Sequence, residues 1–386
     1  MSVYQRVNPS AKDIDADEKL FNYLADFRLH LFRDGLKFPT QMFKGAKLLE
    51  FGAGTGEHAV FYSRYGAECT LVEVNELAVE RLRKVFAQFA PQDAVYDVIE
   101  SSLFDVHLDE KFDIVSSEGV LHHTADKEVG FANLVSHLKV GGFVILGIAT
   151  KAGQLQRNLQ RMILYRFADK EEDMEALAER LFKEHIDRAV SFSGRSRKAT
   201  IFDTYINPKY DTPSIAEIQK WFADNNIAFY SGSPCFFPPN LGDSPGRLAV
   251  ADVRMNRAAG VFSELFSLTH DKDDSVAMAD YFDACEDLKT SLHPVLDAMN
   301  DVTPESQYDL EKLGRQCDVL KDKVGAANPF VVDYDRISET IGEISAVIDA
   351  MNGGDVENVI STVTGCCYLF HGTSGLGMNY FIGYKE

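Results

Sequence analysis

The sequence predicts an α/β fold: a doubly wound, mostly parallel sheet of seven strands, with a helical lid insertion and an all-α C-terminal domain. Three observations predict it. Between residues 45 and 150, short apolar runs alternate with segments of helical period, the pattern of right-handed strand–helix–strand crossovers. The first of these runs ends in a glycine-rich loop, Leu49–Glu57. From Gly260 onward the apolar spacing is helical throughout and the chain turns sharply acidic.

An N-terminal helical segment, 1–44, precedes the first strand. Lys47–Phe51 (KLLEF) is a short apolar run ending at glycines, which suits a buried parallel strand. Glu57–Tyr65 follows as a helix, then Cys69–Val74 as a second strand. Glu76–Phe89 repeats apolar residues at Leu77, Val79, Leu82, Val85 and Phe86, a helical face. Val95–Ile99 and Phe112–Ser116 are the next strands, Lys127–Leu138 the next helix, and Gly142–Ile148 the fifth strand. Residues 151–200 break the rhythm with a long, charged helical stretch, Gln154–Arg188, and a Ser/Gly-rich basic loop. Ser214–Asn225 opens with Ser214 and Glu217 three residues on, a capping box. Ile227–Ser231 and Leu248–Arg254 read as two further strands. The domain boundaries expected are therefore 45–254, with the insertion at 151–200, and 255–386.

The last of these regions holds 23 acidic and 9 basic residues, a net of −14, against −20 for the whole 386-residue chain. Such a chain repels phosphate backbones, so duplex nucleic acid is excluded as the expected partner. No stretch reaches the roughly 18 apolar residues of a membrane span, and the first twenty residues lack the apolar core of a signal peptide. The expectation is a cytoplasmic protein without a membrane partner. Cys69, Cys235, Cys285, Cys317, Cys366 and Cys367 form no CxxC pair and read as reduced thiols. No metal site is expected.

Gly52, Gly54 and Gly56 follow a strand and open a helix. Glycine lets the backbone approach a ligand, and a helix start offers free N–H groups beside it. In open α/β sheets this is where ligands bind. A dinucleotide fingerprint needs a third glycine where Glu57 stands, and a phosphate-binding loop needs Gly-Lys-Ser/Thr, which is absent. Glu73 ends the second strand, where a carboxylate accepts both ribose hydroxyls. The ligand implied is a nucleoside without a polyphosphate.

Four segments in order, LLEFGAGTGEHA, LVEVNELAVERL, FDIVSSEGVLHHTAD and LKVGGFVIL, resemble the successive motifs of class I S-adenosylmethionine-dependent methyltransferases. The resemblance covers Lys47–Gly147 strongly and Asp203–Arg254 more weakly. It implies S-adenosylmethionine as cofactor. Glu50, Gly52, Ala53 and Gly54 would surround its methionine part, and Glu73 its ribose. Val74 and Asn75 would flank the adenosine, Ser101, Ser102 and Leu103 would lie along the adenine, and Glu118 and Gly119 would close the methionine side. The family often has an acidic residue where Ser101 stands; serine weakens that contact or passes it to Asn75 or a backbone carbonyl. Methyl transfer from a sulfonium needs alignment and exclusion of water. A base is required only if the acceptor loses a proton. His123 and His122, past the fourth strand, are the candidates.

In an acidic chain, the basic stretch holding Arg195 and Arg197 and the following Tyr205 and Tyr210 are the candidate substrate contacts, since arginine suits carboxylate or phosphate. The leading reading is an enzyme that methylates a small-molecule or sugar-like biosynthetic intermediate, with the 154–188 helices covering the pocket. A methyltransferase acting on protein or RNA is the alternative; a non-catalytic scaffold of the same fold is disfavoured by the intact glycine loop. The apolar faces of the C-terminal helices are the candidate homodimer surface. The aromatic stretch Cys366–Tyr384 is expected to dock on the sheet domain or on a second subunit, because exposed it would be an aggregation hazard.

Overall fold

The computed structural model describes residues 18–193, 197–206, 211–234, 261, 264, 278–300, 302–327, 334–371 and 377–386. It divides into two compact units, each built from discontinuous stretches of chain: Met1–Ile148, Gln219–Pro234 and Asn379–Glu386 form the first, Ala149–Ile218 and Cys235–Met378 the second.

The first unit holds one seven-stranded sheet. Helix α1 (Glu18–His30) leads through a π turn at Leu31–Gly35 and a 3-10 turn at Thr40–Phe43 into β1 (Lys47–Phe51). Then follow α2 (Ala59–Arg64), β2 (Glu68–Glu73), α3 (Glu76–Phe89), β3 (Tyr96–Glu100), β4 (Phe112–Glu118), α4 (Lys127–Ser136) and β5 (Leu138–Ile148). Strand β1 pairs in parallel with β2 and β4, β2 with β3, and β4 with β5. Asn75 starts α3 by accepting a hydrogen bond from the N–H of Leu77, and Asp126 starts α4 by accepting from Val129. Under the sheet lies an aromatic cluster of Phe32, Phe38, Phe43, Tyr62 and Tyr65.

Two strands complete the sheet, in the order β3-β2-β1-β4-β5-β7-β6. Strand β6 (Ile227–Ser233) falls where the alternation placed it. The expected strand at Leu248–Arg254 lies outside the described residues. The seventh strand is instead β7 (Asn379–Lys385), antiparallel to both β5 and β6. This corrects the expectation of an all-α region from 255 to 386. The aromatic end of that region docks on the sheet domain by entering its sheet. Its sequence, NYFIGYK, is rich in the aromatic and β-branched residues that pack well on a pleated surface. Gly383 is required there: a Cβ at this position would lie 2.2 Å from Ile227 Cγ2 and 2.8 Å from Phe222 Cε2.

The second unit is helical among its described residues. It contains α5 (Lys151–Phe167), α6 (Glu171–Leu181), α7 (Lys183–Ser193) and the short α8 (Arg197–Ile201). It also contains α10 (Met278–Ala298), α11 (Leu310–Ala326), α12 (Tyr334–Asn352) and α13 (Val356–Gly365). The division between the units falls inside α9 (Ile215–Asp224), after Ile218. Ser214 and Glu217 cap α9 reciprocally, N–H to carboxylate at 2.7 Å and N–H to hydroxyl at 3.2 Å. The helical stretch expected over 154–188 is divided into three helices. The breaks carry no Gly or Pro; they let Met174, Ala178, Phe182 and Ile186 all reach one core. That core also takes Leu159 and Ile163 of α5 and Leu292, Leu313, Ile341 and Ile348 of the later helices. No described helix is long and apolar enough to cross a membrane.

Candidate cofactor site

The site lies at the carboxyl rim of β1, β2 and β4. The loop after β1 turns back sharply: the N–H groups of Gly52 and Ala53 both donate to Val72 O, at 2.8 and 3.1 Å. Gly52, Gly54 and Gly56 have φ of +76°, +56° and +86°, the left-handed region that side chains disfavour. At Gly52 space is also closed, because a Cβ would lie 2.3 Å from Val120 Cγ2.

Glu73, at the end of β2, locks the loop. Its Oε2 accepts from Gly54 N–H at 2.8 Å, and its Oε1 accepts from Val74 and Asn75 N–H, each at 2.9 Å. The carboxylate is thereby fixed in orientation, with lone pairs remaining for a diol. Val74 is exposed, whereas Asn75 spends its side chain on the α3 cap. Ser101 donates its N–H to Glu73 O at 3.1 Å, which draws the turn after β3 to the same rim. Ser102 is a turn residue, accepting from the Phe104 N–H at 3.2 Å, and the buried Leu103 gives its carbonyl to Asn133.

Glu57 is buried, accepting a hydrogen bond from Thr55 of the loop, with Arg81 Nε 3.5 Å away. Glu118 ends β4 and is also committed. Arg28 of α1 grips it bidentately at 2.5 and 2.9 Å, and Tyr62 donates its hydroxyl to it. Gly119 beside it has φ +77°, and nothing stands within 4 Å of where its Cβ would be. Glu50, one strand over, is 3% exposed and its Oε2 has no hydrogen-bond partner among the described residues. Burial first, then the charge of Glu118, push its carboxyl up to about 8. Glu118 goes the other way: burial opposes its ionisation, but the charge and hydrogen bonds of Arg28 hold it below the usual carboxylate range.

His122 is buried and His123 partly so, in the 3-10 turn Leu121–His123 after β4, their rings 4.3 Å apart. The residues singled out as substrate contacts belong to the second unit. Arg197 donates to Glu179 and Asp187. Tyr205 is 1% exposed and sits 2.5 Å from His185 Nδ1, among core residues. Arg195 and Tyr210 lie outside the described residues.

Arg28 is the site residue that the sequence reading missed. Its signal is there: Leu24, Arg28 and Leu31 are spaced i, i+4, i+7, so an arginine stands on the apolar stripe of a short helix. Tyr62 and Tyr380, which shape the same environment, carried no comparable signal.

Residues 49–144 match the family model described as a methyltransferase domain. The hybrid polyketide–nonribosomal peptide synthetase opdA of Penicillium oxalicum is 35% identical over 112 residues, 26% of this chain and 3% of that one. The probable protein arginine N-methyltransferase 6.1 of rice (Oryza sativa subsp. indica) is 29% identical over 128 residues, 32% of this chain and 33% of its own. The solved magnesium protoporphyrin IX methyltransferase of Synechocystis, with S-adenosylhomocysteine bound, aligns over 58% of this chain and 81% of its own at 13% identity and a TM-score of 0.35. The chain thus spans a third or less of the two curated relatives. With its seven-stranded, mostly parallel sheet, the first unit has the fold of class I S-adenosylmethionine-dependent methyltransferases, and residues 49–144 within it match a methyltransferase domain. The residues fit that cofactor: a fixed carboxylate for the ribose, a left-handed glycine loop beside it, and in Glu50 a buried acceptor with nothing yet to accept.

Proposed function

We propose that the protein transfers a methyl group from S-adenosylmethionine to a small, hydroxyl- or amine-bearing acceptor of the biosynthetic-intermediate or sugar-like kind. Bound at the rim, the cofactor supplies an electrophilic methyl group on a sulfonium. Glu73 holds the ribose, the Gly52–Gly56 backbone keeps the methionine part in line, and Gly119 leaves room for approach. Positioning of this sort contributes about 7–11 kcal/mol to such a displacement. For a hydroxyl acceptor a base takes the proton, and His123, the more open of the pair, is the first candidate, with His122 second.

The observation that supports a small acceptor over a nucleic acid is the charge of the chain, −20 overall, with 59 acidic against 39 basic residues. A surface of that balance repels a phosphate backbone.

The test is to supply methyl-labelled S-adenosylmethionine and an extract separated by size. Label is expected in the low-mass fraction. His123→Ala should cut that labelling severalfold while leaving the affinity for S-adenosylhomocysteine unchanged. Label entering protein or RNA instead would overturn the reading and favour the macromolecular alternative.

A further inference from the structure

The rim holds three carboxyl groups within electrostatic reach of one another, the buried Glu50 and Glu73 and the half-buried Glu118, and one buried cation, Arg28. The cation is already assigned. Its Nη1 and Nη2 both go to Glu118, and its guanidinium lies 4.8 Å from the ring centre of Phe32 and 5.0 Å from that of Tyr62. Phe32, Tyr62 and Glu118 hold it on separate elements, so the arrangement is stiff. Glu73 is neutralised in another way, by three backbone N–H groups. Glu50 has neither. Among the described residues, the ionisable groups that bear on it are Glu73 and Cys69 from β2, Glu118 from β4, Arg28 from α1 and Tyr62 from α2; Tyr380 from β7 and His58 act on Glu118 beside it. A buried carboxylate with one unmet oxygen, beside a second carboxylate that monopolises the local cation, is unstable as an anion.

We propose that Glu50 is a proton-exchanging group of the cofactor site: it is neutral while the site is empty and gives up its proton when the ammonium of the cofactor's methionine end arrives, and Arg28 is the positioning residue that makes this so by binding Glu118 instead. The balance is simple. The ammonium remains protonated, the Glu50 O–H bond breaks, the proton goes to solvent, and an ion pair replaces a neutral carboxyl. The inference rests on the reading of this rim as the S-adenosylmethionine site. It adds a linkage: binding releases close to one proton near neutral pH, and affinity rises with pH until the free site would itself be ionised, about pH 8. The sign follows from the direction of the Glu50 shift. Below that pH the empty site carries a proton that the occupied site does not, so acid competes with the ligand.

Titration calorimetry with S-adenosylhomocysteine, run near pH 7 in phosphate and in Tris, reads the proton count from the difference in heat between the buffers. The wild-type protein should release a proton on binding, because the empty site holds Glu50 neutral at that pH. Glu50→Gln should bind with no release. Glu118→Gln should also lose the release, because Arg28 then turns to Glu50 and ionises it beforehand, and affinity should fall. The charge-balanced Arg28→Met/Glu118→Gln pair removes both and should restore the release, a result that a merely structural role for Arg28 does not give. Should Glu118→Gln fail to fold, the wild type, Glu50→Gln and the double variant still decide the matter. Binding without proton release in the wild type overturns the proposal. Absence of binding overturns the cofactor reading beneath it.

Discussion

The two units handle buried polarity in different ways. In the sheet unit the buried Arg28, Glu50 and Glu73 gather at one rim with the half-buried Glu118, and each is either paired, capped by backbone or left neutral. In the helical unit the buried polar groups are mostly uncharged, among them Gln154, Gln156, Asn158, Gln160, Thr200 and Tyr205. Many of its charges stand in exposed pairs such as Arg180–Glu357 and Lys323–Asp287, which contribute little. A charged cofactor calls for the first arrangement.

The contrast extends to packing, and three substitutions test it. The largest effect is expected at Gly383 in β7. Gly383→Val drives side-chain atoms into Ile227, Phe222 and Val144 and should destabilise the sheet unit by about 3 kcal/mol or more, read as a lower denaturation midpoint. A variant that unfolded at the wild-type midpoint would show β7 to be dispensable. Next comes Glu73→Ala, which removes the acceptor for the ribose and frees the loop N–H groups it holds. S-adenosylhomocysteine affinity should drop by about 1.5–3 kcal/mol, measured by calorimetry, with the denaturation midpoint changing less. Tight binding of NAD or ATP with none of S-adenosylhomocysteine would remove the cofactor assignment altogether. The smallest effect is expected in the helical unit. Gly342 lies within α12 with only the flexible Lys321 ammonium, 3.2 Å away, near its would-be Cβ. Gly342→Ala should be neutral or stabilise by up to about 1 kcal/mol in thermal melts. A marked loss there would mean that the helical unit is packed as tightly as the sheet.

The same contrast explains what could be read from residues alone. Strands β1 to β5 pair with near neighbours in sequence or across one crossover, so apolar runs and helix periods announce them. The loop and Glu73 follow from strand ends, which such a reading places within a residue or two. Strand β7 pairs with β5 and β6 across more than a hundred residues, and nothing in NYFIGYK names its partners. Its docking was foreseeable from its aromatic content; its place inside the sheet was not. In the helical unit, amphipathic spacing identified α10, α12 and α13 but not how 154–188 divides, because the breaks are set by what the core accepts. Arg28 was hidden for a related reason. Its role depends on Glu118, ninety residues on, and on a ring of aromatics brought together only by the fold.

The position of β7 also sets an order of events. About 145 residues separate the end of β6 from its start. Strand β6 bonds to the rest of the sheet only through β7. While the ribosome is making the intervening helices, the nascent sheet therefore carries an open flank at β5 that expects a partner not yet synthesised. Long-range pairings of this kind are slow to close and expose strand edges meanwhile. Val144 and Leu146, fully buried once β7 is in place, lie on that flank. Conditions that slow or stall translation between Cys235 and Met378 would prolong exactly the state in which this chain is most exposed to association with its own copies.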